Sequence, residues 1–179
     1  EESDWSSDVC SSDLPARPYQ TRAYHPFNWR GWWDFGTGAI GDMAMHVVNM
    51  AWMGCRLKYP TSVEAEVSEY NPETFPIWNI IRFEFPPPVA GKPPIRLTWY
   101  DGGRSKPAWV HAKLRELVFD GPIPESGSII VGTKGRLYCP VYGEKYVLLP
   151  AKDFEGFRPP APTLPRSPGH YQEWIDACK

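Results

Sequence analysis

Between residues 61 and 100 three strand-like runs follow one another with no helix between them, and that succession constrains the fold more than any other feature. In residues 61–70, Val63, Ala65 and Val67 alternate with Ser62, Glu64, Glu66 and Ser68, the two-residue period of a strand with one apolar face. Residues 77–85 are dense in Ile, Phe and Trp, and residues 95–100 form the third run. Parallel neighbours need a long crossover whereas loops suffice for antiparallel ones, so these runs predict antiparallel pairing. The connection PPPVAGKPP at 86–94 holds too many prolines to lie in a sheet itself. Further on, 128–131 and 136–139 flank Gly132-Thr133-Lys134-Gly135 as a hairpin, and 145–149 supplies one more strand. The expected sheet is open, mainly antiparallel and about six strands wide.

Helical periodicity precedes and follows the strands. Ala39, Ile40, Met43, Val47, Met50 and Ala51 recur at three- and four-residue steps, with Thr37 or Gly38 to open the helix and Gly54 to close it. Residues 38–53 are apolar around most of the girth, which predicts a buried helix. A helical hint at 112–117 is weak. Residues 158–166, RPPAPTLPR, form a stiff strap, after which Ser167-Pro168 offers an N-cap and first-turn pair for a C-terminal helix over 168–179. The class is therefore α+β, a sheet packed against a buried helix and a C-terminal helix. Residues 1–14, polar, Ser/Asp-rich and aperiodic, predict a disordered tail. The run 4–14 also resembles a translated sequencing-adapter junction, so it is set aside as a non-native tail together with Cys10, and the domain is taken as 15–179.

With 19 basic and 21 acidic side chains and no run of like charge, the footprint of a nucleic-acid or membrane-surface binder is missing. The expected partner is a small molecule or another protein. Cys10, Cys55, Cys139 and Cys178 are scattered, with no CxxC and no zinc spacing, which suits free thiols in a reducing, cytoplasmic setting. No apolar run reaches the 18 or so residues of a membrane span.

The chemistry concentrates in residues 28–49. On an α-helix, Asp42 and His46 lie one turn apart and about 40° round from each other, so they can cooperate. Histidine can take and return a proton near neutrality, and a neighbouring carboxylate can orient its ring. The same letters also fit a helix-capping Asp42 and a structural His46, and the residues alone leave both open. A metal is not expected, because His25, His111 and His170 are too scattered to complete a ligand set. Asn28, Trp29, Arg30, Trp32 and Trp33 bring an amide, a planar cation and stacking faces to the loop before the helix, chemistry that holds a polyhydroxylated ring. Core filling is the competing reading for these tryptophans. Tyr100, at a strand end, is a further candidate for the same site. Gly36, Gly38 and Gly41 match G-x-G-x-x-G literally, yet no strand leads into them and no βαβ unit follows, so they predict close backbone approach instead of a dinucleotide cradle.

The stretch WWDFGTGAIGDMAMH at 32–46 resembles the glycine-opened helix with D-x-x-x-H of the Gfo/Idh/MocA oxidoreductases, the glucose-fructose oxidoreductase and inositol dehydrogenase family. PTSVEA at 60–65, LTWYDGG at 97–103, VGTKG at 131–135 and PRSPGH at 165–170 resemble successive landmarks of one bacterial branch, so the likeness spans 15–179. The resemblance implies a C-terminal α/β domain that presents a sugar or polyol to a separate Rossmann domain binding NAD or NADP. That domain's glycine fingerprint and E-K-P lysine are absent from this sequence, so the chain is expected to be a truncated piece, inactive alone. The resemblance further implies that His46 accepts the proton of a substrate hydroxyl, that Asp42 assists it, and that the protein forms a homo-oligomer through the sheet face. Members often carry aspartate three residues after the histidine, where this chain has Asn49. The alternative is a non-catalytic carbohydrate-binding or scaffold domain in which Asp42 and His46 are structural.

Overall fold

The computed structural model describes residues 17–118, 122–163 and 165–179, so the tail read from 1–14 lies outside the described residues. The class is α+β. Strands β1 (Ser62–Val67), β2 (Asn79–Phe85) and β3 (Ile95–Asp101) pair antiparallel in chain order. Strands β4 (Ser128–Val131), β5 (Arg136–Cys139) and β6 (Val147–Leu149) form a second antiparallel sheet. The six expected strands thus make two sheets of three instead of one of six. The separation follows from the excursion after β3, which holds a full helix, α3 (Ala108–Val118), where only a weak hint was legible. Strands joined by short loops stay neighbours, and a chain that leaves through a helix is free to return elsewhere.

Residues opposite each other in a ladder share a face. In the first sheet Val63, Phe83 and Leu97 are in register, as are Ala65, Ile81 and Trp99, and these make the apolar face. Glu64, Arg82 and Thr98, with Glu66, Ile80 and Tyr100, make the reverse face. There Arg82 pairs with Glu66 at 2.7 Å and with Glu64 at 3.9 Å. The β2 and β3 part of the apolar face is covered by α1 (Gly38–Val47) and α2 (Asn49–Gly54). They take the place of the single expected helix. Val48 between them keeps right-handed backbone, and its N–H and C=O still bond Ala44 and Trp52, so the axis bends without stopping.

The expectation of a buried helix needs correction. Only Gly38 and Val47 of α1 are buried, and no residue of α2 is. An apolar girth does not decide which stripe finds a partner. Ile40, Ala44, Val48 and Trp52, spaced by four, face the sheet across a groove of about 410 Å³ floored by Phe83, Phe85, Leu97 and Trp99. Met45 and Met53 stay 70% and 65% exposed. Trp52 closes one end of the groove, its ring edge-to-face with Phe85 at 5.9 Å.

The second sheet is tied to α3 by Arg136, whose guanidinium donates to the carbonyls of Glu116 and Leu117 at 2.5 and 3.0 Å. Those last-turn carbonyls have no partner within the helix and carry its negative end, so a cation satisfies them twice over. The expected C-terminal helix forms as α4 (His170–Ala177), two residues later than the Ser167-Pro168 signal predicts: Gly169 is its N-cap, the Ser167 hydroxyl accepts from the Gly169 N–H at 3.0 Å instead, and the helix is exposed along its whole length and does not pack on a sheet. Local signals suffice to wind a turn; docking needs a facing surface, and the described residues offer α4 none. No helix among the described residues is long and apolar enough to cross a membrane.

Candidate active site

The polar side of α1 is the side turned away from the groove. Ile40, Ala44 and Val48 point at the sheet, and Asp42 and His46 stand about 200° round from them, two residues along in each case. His46 is exposed and Asp42 is half-buried. The Asp42 carboxylate takes an ion-paired hydrogen bond from the Arg30 guanidinium, which comes from the 3-10 turn Asn28–Gly31. No hydrogen bond joins Asp42 to His46 among the described residues. The imidazole instead meets the ring of Tyr142, at 5.3 Å between centroids and 73° between planes.

Arg30 is set in place by the loop around it. A Cβ on Gly36 would lie 2.6 Å from the Arg30 Cα, so only glycine lets the chain turn back over that residue before α1 begins. The guanidinium also lies 5.6 Å from the centre of the Phe27 ring, within cation–π range. Gly38, the first residue of α1, has φ +69° and no room for a side chain, because a Cβ would stand 2.5 Å from the Phe75 ring. Phe75 in turn stacks on Trp33 at 3.8 Å. The glycines of the literal G-x-G-x-x-G are therefore consumed by contacts within the chain, and the described residues provide no phosphate cradle there.

The candidate substrate-binding residues divide. Arg30 joins Asp42 at the site. Trp32 does not present a free face: its indole N–H donates to the Ala23 carbonyl at 3.1 Å, its ring lies 5.1 Å from Tyr24, and Arg17 lies over it at 5.6 Å. Trp33 packs on Phe75, and its backbone N–H bonds Glu73 at 3.0 Å. The Asn28 amide is spent on the Arg22 carbonyl at 2.9 Å. A second ion pair, Arg17 with Asp34 at 2.6 Å, helps lock this loop. Core filling thus describes Trp32 better than an open stacking platform does, whereas Trp33 rests on Phe75 and stays 44% exposed. Tyr100 lies apart: the groove takes Trp99, and by the alternation of a strand Tyr100 projects from the reverse face, beside Arg82.

Tyr142 has no signal in the sequence. It sits in the turn between β5 and β6, where the Gly143 N–H bonds the Pro140 carbonyl, and only the approach of the second sheet brings it to α1. At the end of β3, buried Asn79 donates to Asp101 at 3.3 Å and the Gly102 N–H donates to the other Asp101 oxygen at 2.6 Å. Burial pushes the Lys106 ammonium down from its ordinary value, against the opposing pull of Asp101. Cys55, Cys139 and Cys178 are free thiols. Among the described residues no group of three or more His, Cys, Asp or Glu side chains could hold a metal.

No curated protein matches the chain. The family model described as the C-terminal alpha/beta domain of an oxidoreductase family, Gfo/Idh/MocA, matches residues 4–88, a little under half of the sequence. The matched range holds Arg30, Asp42, His46, β1 and β2, and it begins within the stretch set aside as a non-native tail. Over residues 4–88 the chain is similar to the C-terminal α/β domain of the Gfo/Idh/MocA oxidoreductases.

Proposed function

We propose that this oxidoreductase domain binds a sugar or polyol on the outer side of α1, and that His46 accepts the proton of the hydroxyl being oxidised. Oxidising a carbinol removes a proton from oxygen and a hydride from carbon, so the site needs a base in reach of the hydroxyl and groups that hold its neighbours. The observation that carries the reading is the meeting of Arg30, Asp42 and His46 on one solvent-facing side of a single helix. His46 is accessible and has no hydrogen bond that occupies its acceptor nitrogen. Arg30 and Asp42, paired, present both donors and acceptors and carry no net charge, which suits neighbouring hydroxyls. Asp42 serves in this reading by holding Arg30, not by touching the imidazole.

The hydride acceptor in this reading is NAD or NADP. The described residues do not fit its phosphates, because Gly36 and Gly38 are filled by Arg30 and Phe75, so the reading assigns the cofactor to a nucleotide-binding domain beyond this one. Alone, the domain is proposed to bind substrate without turning it over. Trp32 is engaged within the chain, while Trp29 and Trp33, each 44% exposed, keep faces on which the carbohydrate-binding alternative can rest.

The test is an NMR titration of histidine-labelled protein with a neutral cyclitol, myo-inositol. The ring signals of His46 should move with added ligand while those of His25, His111 and His170 stay. Movement at the other histidines alone, or at none, contradicts the proposed site.

A further inference from the structure

A base on an exposed helix face is effective only if its ring is held in one plane, and the contacts that usually do this are absent at His46. Histidine rings in working sites are commonly fixed by a hydrogen bond from one nitrogen to a carboxylate or carbonyl, which also selects the tautomer. Here the carboxylate one turn away is committed to Arg30. Among the described residues the ring contact of the imidazole is with Tyr142, and the two meet edge-to-face, the arrangement that aromatic quadrupoles favour.

Resting on the function proposed above, we propose that Tyr142 is a positioning residue for His46: its ring fixes the plane in which the imidazole presents its nitrogens to a substrate hydroxyl. The turn carrying Tyr142 is built for a defined position, with Gly143 at φ +71° and its N–H bonded back to Pro140 at 3.1 Å. Tyr142 is 67% exposed, so it is not there to fill a core. It also comes from the turn between β5 and β6, whereas Arg30 comes from the 3-10 turn before α1. The ring edge-to-face contact, and not the hydroxyl, carries the role, so phenylalanine should replace tyrosine and alanine should not.

The experiment records the ring signals of His46 and the backbone amides of α1 in the wild type, Tyr142→Phe and Tyr142→Ala, with and without myo-inositol. Tyr142→Phe should keep the cross-ring contacts and the ring-current shift of the His46 ring protons. Tyr142→Ala should remove that shift, leave the α1 amides in place, and weaken myo-inositol binding or its effect on the ring by roughly two- to tenfold, the range for one aromatic pair. His46 ring signals indifferent to Tyr142→Ala overturn the proposal, and so do α1 amides that scatter with them, since the residue would then hold the helix and not the ring. Failure of the underlying function looks different: the Tyr142→Ala shifts appear as expected, yet myo-inositol leaves the wild-type ring unmoved, and the assigned role falls with that function.

Discussion

Gly38→Ala is the perturbation whose cost can be worked most directly from the geometry. An L-residue at φ +69° pays about 1–2 kcal/mol for left-handed backbone. The new Cβ would also stand 2.5 Å from the Phe75 ring, which Trp33 backs at 3.8 Å, so the ring cannot simply retreat. Overpacking of this kind costs typically 1–3 kcal/mol, which gives a total of about 2–5 kcal/mol. With a urea slope of about 2 kcal/mol per molar, the denaturation midpoint should fall by about 1–2.5 M. Gly54→Ala, at the last residue of α2, is the control. Its Cβ would meet nothing within 4 Å, and alanine gains about 0.5–1 kcal/mol over glycine inside a helix. Gly54→Ala should therefore leave the midpoint near the wild-type value or raise it slightly. In a Phe75→Ala background only the backbone share of the Gly38→Ala cost should survive, so the two changes are strongly non-additive. An unchanged midpoint for Gly38→Ala, or additive effects with Phe75→Ala, refutes the claim that this glycine is required by the Phe75–Trp33 stack.

Three further outcomes follow from the packing. Arg30→Met should change stability by less than about 1 kcal/mol, since both partners of the Asp42 pair are about one-third exposed to water, but it should abolish the myo-inositol effect on His46; loss of the fold would contradict this. Lys106, pushed below its ordinary 10.5 by burial, loses its proton in the folded state before the unfolded chain does, so wild-type stability should rise with pH between the lowered value and 10.5. Lys106→Met should flatten that rise, as denaturation at neutral and alkaline pH will show. Iodoacetamide mapping should find exposed Cys178 alkylated first, Cys55 later because burial raises its thiol, and buried Cys139 last.

The strands were legible because a two-residue period survives in the letters: Val63, Ala65 and Val67 do share one face. Periodicity cannot tell whether that face is covered, and Val63 and Val67 remain 58% and 43% exposed on an edge strand. The same limit applies to α1, where apolar residues all round suggested burial and one stripe, Ile40 to Trp52, found the sheet. The dismissal of the glycine motif needed no structure, since no strand precedes Gly36. The Arg30–Asp42 pair and the Tyr142–His46 contact were not legible, because each is made by parts of the chain that only tertiary packing brings together. An arginine among tryptophans announced a binding loop; that Trp33 lays its backbone and indole N–H on the carbonyls of Glu73 and Asn71 while Arg30 turns to Asp42 is a result of tertiary packing.

His46 is where the proposed chemistry can be tested most directly. In a full-length protein that turns over a polyol, His46→Gln should lower kcat by about 10²–10⁴ while the urea midpoint stays within experimental error of the wild type, the loss expected of a general base with the fold intact. Unchanged turnover in the folded His46→Gln protein would contradict the assignment of the proton acceptor.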